Sequence, residues 1–116
     1  MVRDKRPQKL EMLPGTLEML ILKSLERNAQ PMHGYGIASY LKQISQEVLQ
    51  VEEGSLYPAL QRLVLKGWVK AKWGQSDNNR RARFYQLTTA GRKQLRLETA
   101  DFERVLAAIM CVMQPA

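Results

Sequence analysis

The chain has 116 residues and a formal net charge of +7, and its hydrophobic fraction of 45% is enough to build the core of one domain. The single cysteine, Cys111, excludes an internal disulfide, and the single histidine, His33, excludes zinc sites that need two histidines or a cysteine pair. The apolar runs are far shorter than a membrane span of about 20 residues, and the charged N-terminus is unlike an export signal. We therefore expect one helix-rich cytoplasmic domain with no membrane segment, no metal and no cofactor.

The positive charge is concentrated in two stretches of the chain. Residues 1–9 carry a net charge of +3 and residues 70–83 carry +4, whereas residues 10–69 are close to neutral, at −1. A concentrated basic segment creates a local potential suited to a polyanion, and the phosphate backbone of nucleic acid is the leading candidate. A solvated charged loop is the alternative, and charge by itself favours neither.

Apolar residues at spacings of three and four predict two helices in the first half of the chain. The first runs from Thr16 to Arg27, and the second includes residues 37–44. Met19 and Leu22 give the first helix a second apolar side. Because a monomeric surface helix needs only one such side, we expect Met19 and Leu22 to contact a partner chain.

A third helix is predicted to begin at Gly54-Ser55. Ser55 is the expected N-cap, Pro58 would lie in the first turn, where its missing N–H costs little, and Gly67 is a natural C-terminal stop. Leucine and valine side chains at helical spacing would face the core. The side chains left for solvent are those of Tyr57, Gln61, Arg62 and Lys66.

A basic hairpin follows the third helix. Residues 68–73 and 80–87 both alternate in the manner of strands, and the six residues between them are dense in turn formers. Alternation places Arg81 and Arg83 together on the solvent side and Phe84 on the inward side. The sequence therefore predicts a two-stranded hairpin with a long basic tip.

A last helix, capped by Thr88 or Thr89, is predicted to run to about Met113. Such a helix is too long to bury its apolar seam on a three-helix core, so we expect it to pack against its twin in a homodimer. The seam consists of Leu95, Phe102, Leu106, Ile109 and Met113.

The order of these elements defines the expected fold class, which is mainly α with a minor β part. Three helices followed by a basic hairpin form a winged helix-turn-helix, in which the third helix reads base edges and the hairpin, or wing, meets phosphates or the minor groove. We divide the chain into a flexible basic arm (1–12), a winged-helix domain (13–88) and a dimerisation helix (89–116). Three helices and a hairpin also occur in unrelated small domains, so the order alone does not decide the function.

Four segments resemble the signature blocks of PadR-family transcriptional regulators. The resemblance extends from residue 13 to about residue 95, and it implies a dimeric winged-helix protein that binds a roughly palindromic operator, usually as a repressor. It also implies that the C-terminal helix, with help from the first, forms the dimer, and that this helix is single and short as in the smaller members. The segments are Leu13–Leu22, His33–Ile37, Glu53–Leu63 and Arg80–Thr88.

The resemblance places several side chains against double-stranded DNA. Gln61 is suited to pair with an adenine edge, Arg62 with guanine or phosphate, and Ser55 with phosphate at the helix start. The alternative for the third helix is a solvated face with Tyr57 half-buried. The remaining DNA candidates are Tyr35 and Gly36 at the start of the second helix, and Lys70, Asn79, Arg80, Arg81 and Arg83 in the wing.

Those remaining candidates also have alternatives. Tyr35 is equally compatible with the core, and the wing residues with a basic loop that keeps the dimer soluble. Some PadR relatives bind aromatic effectors at the dimer interface, so the resemblance leaves a small-molecule effector as a candidate partner. The last helix here, however, offers only Phe102 and no tryptophan to stack a flat ligand. Trp68 and Trp73 are more typical of core and wing packing.

The sequence carries no recognisable enzyme motif. It contains no serine–histidine or cysteine–histidine pair in a catalytic pattern, no carboxylate dyad and no glycine-rich phosphate loop. The favoured function is therefore a dimeric, sequence-specific DNA-binding regulator. The alternative is a non-specific DNA- or RNA-binding module, for which the basic wing is sufficient.

Overall fold

The computed structural model describes residues 15–115 and shows four helices with a small antiparallel sheet. This architecture confirms the predicted fold class. Predictions for residues 1–14, including the basic arm, lie outside the described residues. The elements are α1 (Thr16–Arg27), β1 (Met32–His33), α2 (Gly34–Ile44), α3 (Glu53–Leu65), β2 (Val69–Gln75), β3 (Arg81–Leu87) and α4 (Thr89–Met113).

Helix α1 has the predicted bounds and lies at the centre of the fold. Ser24 is a polar residue on the buried side of α1. Its Oγ donates a hydrogen bond to the Leu20 carbonyl oxygen at 2.7 Å, so the buried hydroxyl has a hydrogen-bond partner within the same helix. Leu22 is 0% exposed within the single chain. Its prediction as a dimer contact is wrong, because the chain's own core already covers it.

The core forms where helices α1 to α3 and the start of α4 meet one face of the sheet. Each large apolar side chain buried there contributes about 1.5–3 kcal/mol relative to exposure, which makes this cluster the main source of stability. Its members are Ile21, Leu22, Leu25, Ile37, Leu41, Leu56, Ala59, Leu60, Leu63, Val69, Tyr85, Leu87 and Leu95.

Helix α3 begins earlier than the sequence predicted. Its first residue is Glu53, so Ser55 lies in the first turn and is not the N-cap, and Pro58 lies inside the helix. An acidic residue at Glu53 suits the positive end of the helix dipole, which favours this earlier start. The predicted stop is confirmed, because Gly67 adopts a left-handed φ of 79°. There its N–H and that of Trp68 bond back to the last turn.

The sheet has three strands in the order β1-β3-β2, and not the two that were predicted. Strand β1 is only two residues long, pairing Met32 with Tyr85 and His33 with Phe84, so it carries no alternating pattern in the sequence. Phe84 lies on the face opposite the buried Tyr85. The expectation that Phe84 packs into the core is therefore wrong, and its ring instead contacts the His33 ring edge-on at 5.5 Å.

Helix α4 begins directly after the predicted cap, Thr88, and its C-terminal half extends away from the core. Thr88 Oγ1 accepts from the Gly91 N–H at 3.0 Å and donates to the Gly67 carbonyl at 2.8 Å. Leu95 is 2% exposed in the single chain, so its assignment to the dimer seam is also wrong, and the first turns of α4 belong to the winged-helix core. From Asp101 to Met113 every residue is exposed.

Within residues 15–115, none of the helices combines the length and the apolar character that a membrane span requires.

Candidate nucleic-acid interface

Helix α3 presents one buried face and one exposed face. Leu56, Ala59, Leu60 and Leu63 are buried, whereas the four residues predicted to meet DNA are all exposed. Two of these, Tyr57 and Gln61, are four residues apart and so share one flank of the helix. The exposed set is Ser55, Tyr57, Gln61 and Arg62.

Arg62 is held by an ion pair that the sequence did not reveal. Its Nε atom lies 3.2 Å from Oε1 of Glu18 in α1. The two residues are 44 positions apart, so no local pattern connects them. Arg62 is therefore drawn toward α1, away from the flank that Tyr57 and Gln61 share.

Tyr57 of α3 lies close to residues of both α2 and β3. A methyl group at Gly34, the first residue of α2, would lie 2.8 Å from the Tyr57 hydroxyl, so the absence of a side chain there makes room for the Tyr57 ring. Tyr57 is also close enough to Tyr85 of β3 to affect its ionisation. Burial raises the pKa of Tyr85 above its usual range, the positive charge of Arg83 opposes that rise, and Tyr57 adds to it.

The start of α2 is capped by His33. The Gly36 N–H donates to His33 Nδ1 at 2.9 Å, so that N–H is already occupied and is not free for a phosphate. Tyr35 is 74% exposed, which rules out its alternative assignment to the core. The exposed Tyr35 ring remains the candidate contact at this helix end.

The wing separates its cationic side chains by face. The guanidinium groups of Arg81 and Arg83 lie over the Trp73 ring, at 4.7 Å and 6.0 Å from its centroid. The strand register places Lys70 and Lys72 on the other face, opposite Gln86 and Phe84. The two lysines and the two arginines therefore project from opposite faces of the ribbon, because alternate residues of a strand point to opposite faces.

The tip of the wing is a tight turn. The Asn79 N–H donates to the Ser76 carbonyl at 2.9 Å, and the Ser76 N–H donates to the Arg80 carbonyl at 2.8 Å. Asn79 adopts a left-handed φ of 61°, which asparagine tolerates better than most residues. Asn79 and Arg80 are both exposed and project from the end of the hairpin.

The predicted dimer residues fall into two groups. Leu22 and Leu95 lie in the core, whereas Met19 is partly buried against it. The later seam residues have no cover within the described chain. They are Phe102, Leu106, Ile109 and Met113, and Val105 and Met110 extend the same apolar surface.

Comparison with known proteins decides what this combination of features represents. A model of the transcriptional regulator PadR-like family matches residues 21–97. The chain belongs to the PadR-like family of transcriptional regulators. This match confirms the resemblance and contains three of the four sequence segments in full, and PadR-like transcriptional regulators bind DNA and are not enzymes.

Individual proteins are similar to the chain in sequence or in fold. This PadR-like chain is similar to a PadR-like transcription factor from Bacteroides fragilis, with 28% identity, a TM-score of 0.67, and coverage of 84% of this chain and 90% of that one. It shares its fold with a transcriptional regulator from Clostridium thermocellum, with 24% identity, a TM-score of 0.77, and coverage of 86% and 92%. An uncharacterized protein from Lysinibacillus sphaericus is 23% identical over 103 residues, which are 86% of this chain and 93% of that protein.

Proposed function

We propose that this PadR-like protein is a homodimeric repressor that recognises a palindromic operator through α3 in the major groove and the wing on the minor groove or phosphates. One observation carries the proposal. Arg83 of the wing lies over the ring of the buried Tyr85, and Tyr57 of α3 is close enough to affect the ionisation of that phenol, so one buried ring connects the wing to α3. The exposed side chains of the two elements would then form a surface able to contact adjacent grooves of one duplex.

Within this surface, Gln61 is the strongest candidate for sequence readout. It is exposed, and its amide is suited to donate to and accept from an adenine edge at the same time. Tyr57, Ser55 and the exposed Tyr35 would contact the sugar-phosphate backbone around it. Arg62 is assigned to phosphate at most, since its Nε atom is engaged by Glu18.

The exposed part of α4 supports the proposed dimer. The apolar residues from Phe102 to Met113 are left exposed in the single chain, and a two-fold pair of such helices would bury them against each other. Two copies of the winged helix would then be presented to two half-sites, which is why we propose a palindromic operator. The similar proteins named above come from bacteria, and a regulator that acts on bacterial chromosomal DNA works in the cytoplasm, so we infer that location.

Selection from a pool of random duplexes tests the proposal directly. Sequences retained by the purified protein should converge on a two-fold symmetric site. Gln61→Ala should weaken binding to that site by about 1–3 kcal/mol, that is, roughly 5- to 150-fold, and leave binding to unselected duplex unchanged. Gln86→Ala is the matched control, because Gln86 is an exposed glutamine on the outer face of the sheet.

The alternative, a non-specific nucleic-acid-binding module, predicts a different result. The +4 charge of residues 70–83 would then account for all of the affinity, which would fall steeply with salt for every duplex. Failure to enrich any symmetric sequence, together with equal binding by Gln61→Ala and wild type, would establish this alternative.

A further inference from the structure

The wing carries an aromatic ring in an unusual place. Trp73 is 58% exposed and lies on the face of β2 that, nearer the helices, packs into the core. Its cross-strand partner is Arg83, and the next pair on the same face of the ribbon is Gln75 with Arg81. Two guanidinium groups therefore lie over the tryptophan ring, beyond the end of the core.

Stacking of a guanidinium group on an aromatic ring restricts the arginine side chain but leaves its N–H groups free to donate hydrogen bonds. The ring quadrupole attracts the flat guanidinium to its face, while the N–H donors lie in the guanidinium plane and stay free for a ligand. Arg81 and Arg83 are long side chains that would otherwise lose considerable rotamer freedom on binding. Holding them on Trp73 before binding reduces that loss.

The distribution of cations favours the minor groove as the target of this face. Among the described residues 15–115, the cations that lie over the Trp73 ring are both arginines, whereas Lys70 and Lys72 lie on the opposite face. Guanidinium is more weakly hydrated than ammonium and so is easier to insert into a narrow groove. A·T-rich tracts have a narrow minor groove with an enhanced negative potential that attracts arginine.

The geometry points to Trp73 as a positioning residue that holds Arg81 and Arg83 ready to enter the narrow minor groove of A·T-rich DNA. The wing would then add a shape preference to the base readout of α3. The inference rests on the proposed function only in that the wing meets duplex DNA. It does not depend on a palindromic site or on Gln61.

Two duplexes of about 30 base pairs, long enough for two half-sites, test the inference without knowledge of the operator. One contains A-tracts and the other only G·C pairs, and binding to both is measured at the same low salt. Wild type should prefer the A-tract duplex. Trp73→Leu keeps an apolar side chain but removes the ring face, and it should lose about tenfold in affinity for the A-tract duplex with little change for the G·C duplex. Trp73→Phe should restore most of the preference.

A variant that lacks both arginines distinguishes positioning of the arginines by Trp73 from direct contact between Trp73 and the DNA. In the Arg81→Ala/Arg83→Ala protein, adding Trp73→Leu should change neither affinity, because the ring has no guanidinium left to hold. Thermal unfolding monitored by circular dichroism shows whether each variant keeps the fold.

The inference is overturned if folded Trp73→Leu binds the A-tract duplex as wild type does. It is also overturned if Trp73→Leu still weakens binding in the double-arginine background, since the ring itself would then touch the DNA. Loss of the A-tract preference in Trp73→Leu supports it even if duplex selection yields no symmetric site, so the two proposals fail separately.

Discussion

Glu18 and Arg62 join the first helix to the third through an ion pair in which Oε1 of the carboxylate lies 3.2 Å from Nε of the guanidinium. The same carboxylate oxygen lies 3.7 Å from Nζ of Lys66. The Glu18 side chain is only 15% exposed, whereas both cations are about half exposed. One carboxylate therefore offsets two positive charges at the C-terminal end of α3.

This arrangement predicts that Glu18→Gln strengthens binding to DNA of arbitrary sequence. Arg62 and Lys66 would lose their counter-charge, and the positive potential around α3 would rise. We expect an affinity gain of about two- to fivefold at low salt that shrinks as salt is added. Because pairs of this exposure contribute about 0–1 kcal/mol, the free energy of unfolding should fall only slightly. Fluorescence anisotropy with an unselected duplex measures the gain.

Glu26→Gln is the control for net charge. Glu26 lies on the same helix but pairs with Lys23, so its removal changes the net charge equally without freeing Arg62. Equal gains in DNA affinity for the two variants would show that net charge alone explains the effect. A loss of affinity in Glu18→Gln would mean instead that the ion pair orients Arg62 toward DNA.

A charge placed in the exposed seam of α4 is predicted to separate the dimer. Leu106→Glu would bring two carboxylates into the apolar contact, and desolvating them costs several kcal/mol per ion. Analytical ultracentrifugation should show a monomer, and affinity for the selected site should fall. Ala107→Glu is the control, because one residue further on the helix turns by about 100° away from the seam. If the Leu106→Glu variant were still a dimer of unchanged mass, α4 would not form the dimer interface.

Gly91 is predicted to be essential for the packing of α4 on the sheet. A methyl group there would overlap the carbonyl oxygen of Trp68, a backbone atom with little freedom to move. Gly91→Ala should therefore destabilise the fold by about 2–3 kcal/mol or more, as overpacked sites do. Gly54→Ala is the matched control, since a methyl group at Gly54 meets nothing within 4 Å. Equal urea midpoints for the two variants would contradict this account.

The buried phenol of Tyr85 predicts a loss of stability at alkaline pH. Its pKa in the folded protein is raised above 10.0, mainly by burial, so the folded state resists ionisation more than the unfolded state. The stabilisation that the neutral Tyr85 phenol contributes is fully present below a pH of 10.0. This contribution is lost as the pH rises through the pKa of Tyr85 in the folded protein. Urea unfolding across this range should show a steeper decline for wild type than for Tyr85→Phe. Parallel curves would show that Tyr85 contributes nothing to the decline.

Local patterns in the sequence determined most of the helices. The apolar spacing in residues 16–27 predicts α1 to the residue, and Thr88 predicts the start of α4, because periodicity and capping act between residues a few positions apart. The start of α3 was predicted wrongly because Ser55 is a favoured N-cap residue type, whereas the helix begins at Glu53 without a side-chain cap from Glu52 and places the acidic Glu53 at the positive end of its dipole.

The surface that would meet DNA depended on contacts between distant parts of the chain. The sequence by itself determined that the chain is a basic winged helix of the PadR-like family, since those signals are composition and short motifs. Only the tertiary structure showed that Glu18 holds Arg62, that Leu22 and Leu95 belong to the core, and that both wing arginines lie over the Trp73 ring. The physical reason is that ion pairs, burial and cross-strand stacking depend on which residues the fold brings together, and spacing along the chain does not encode this.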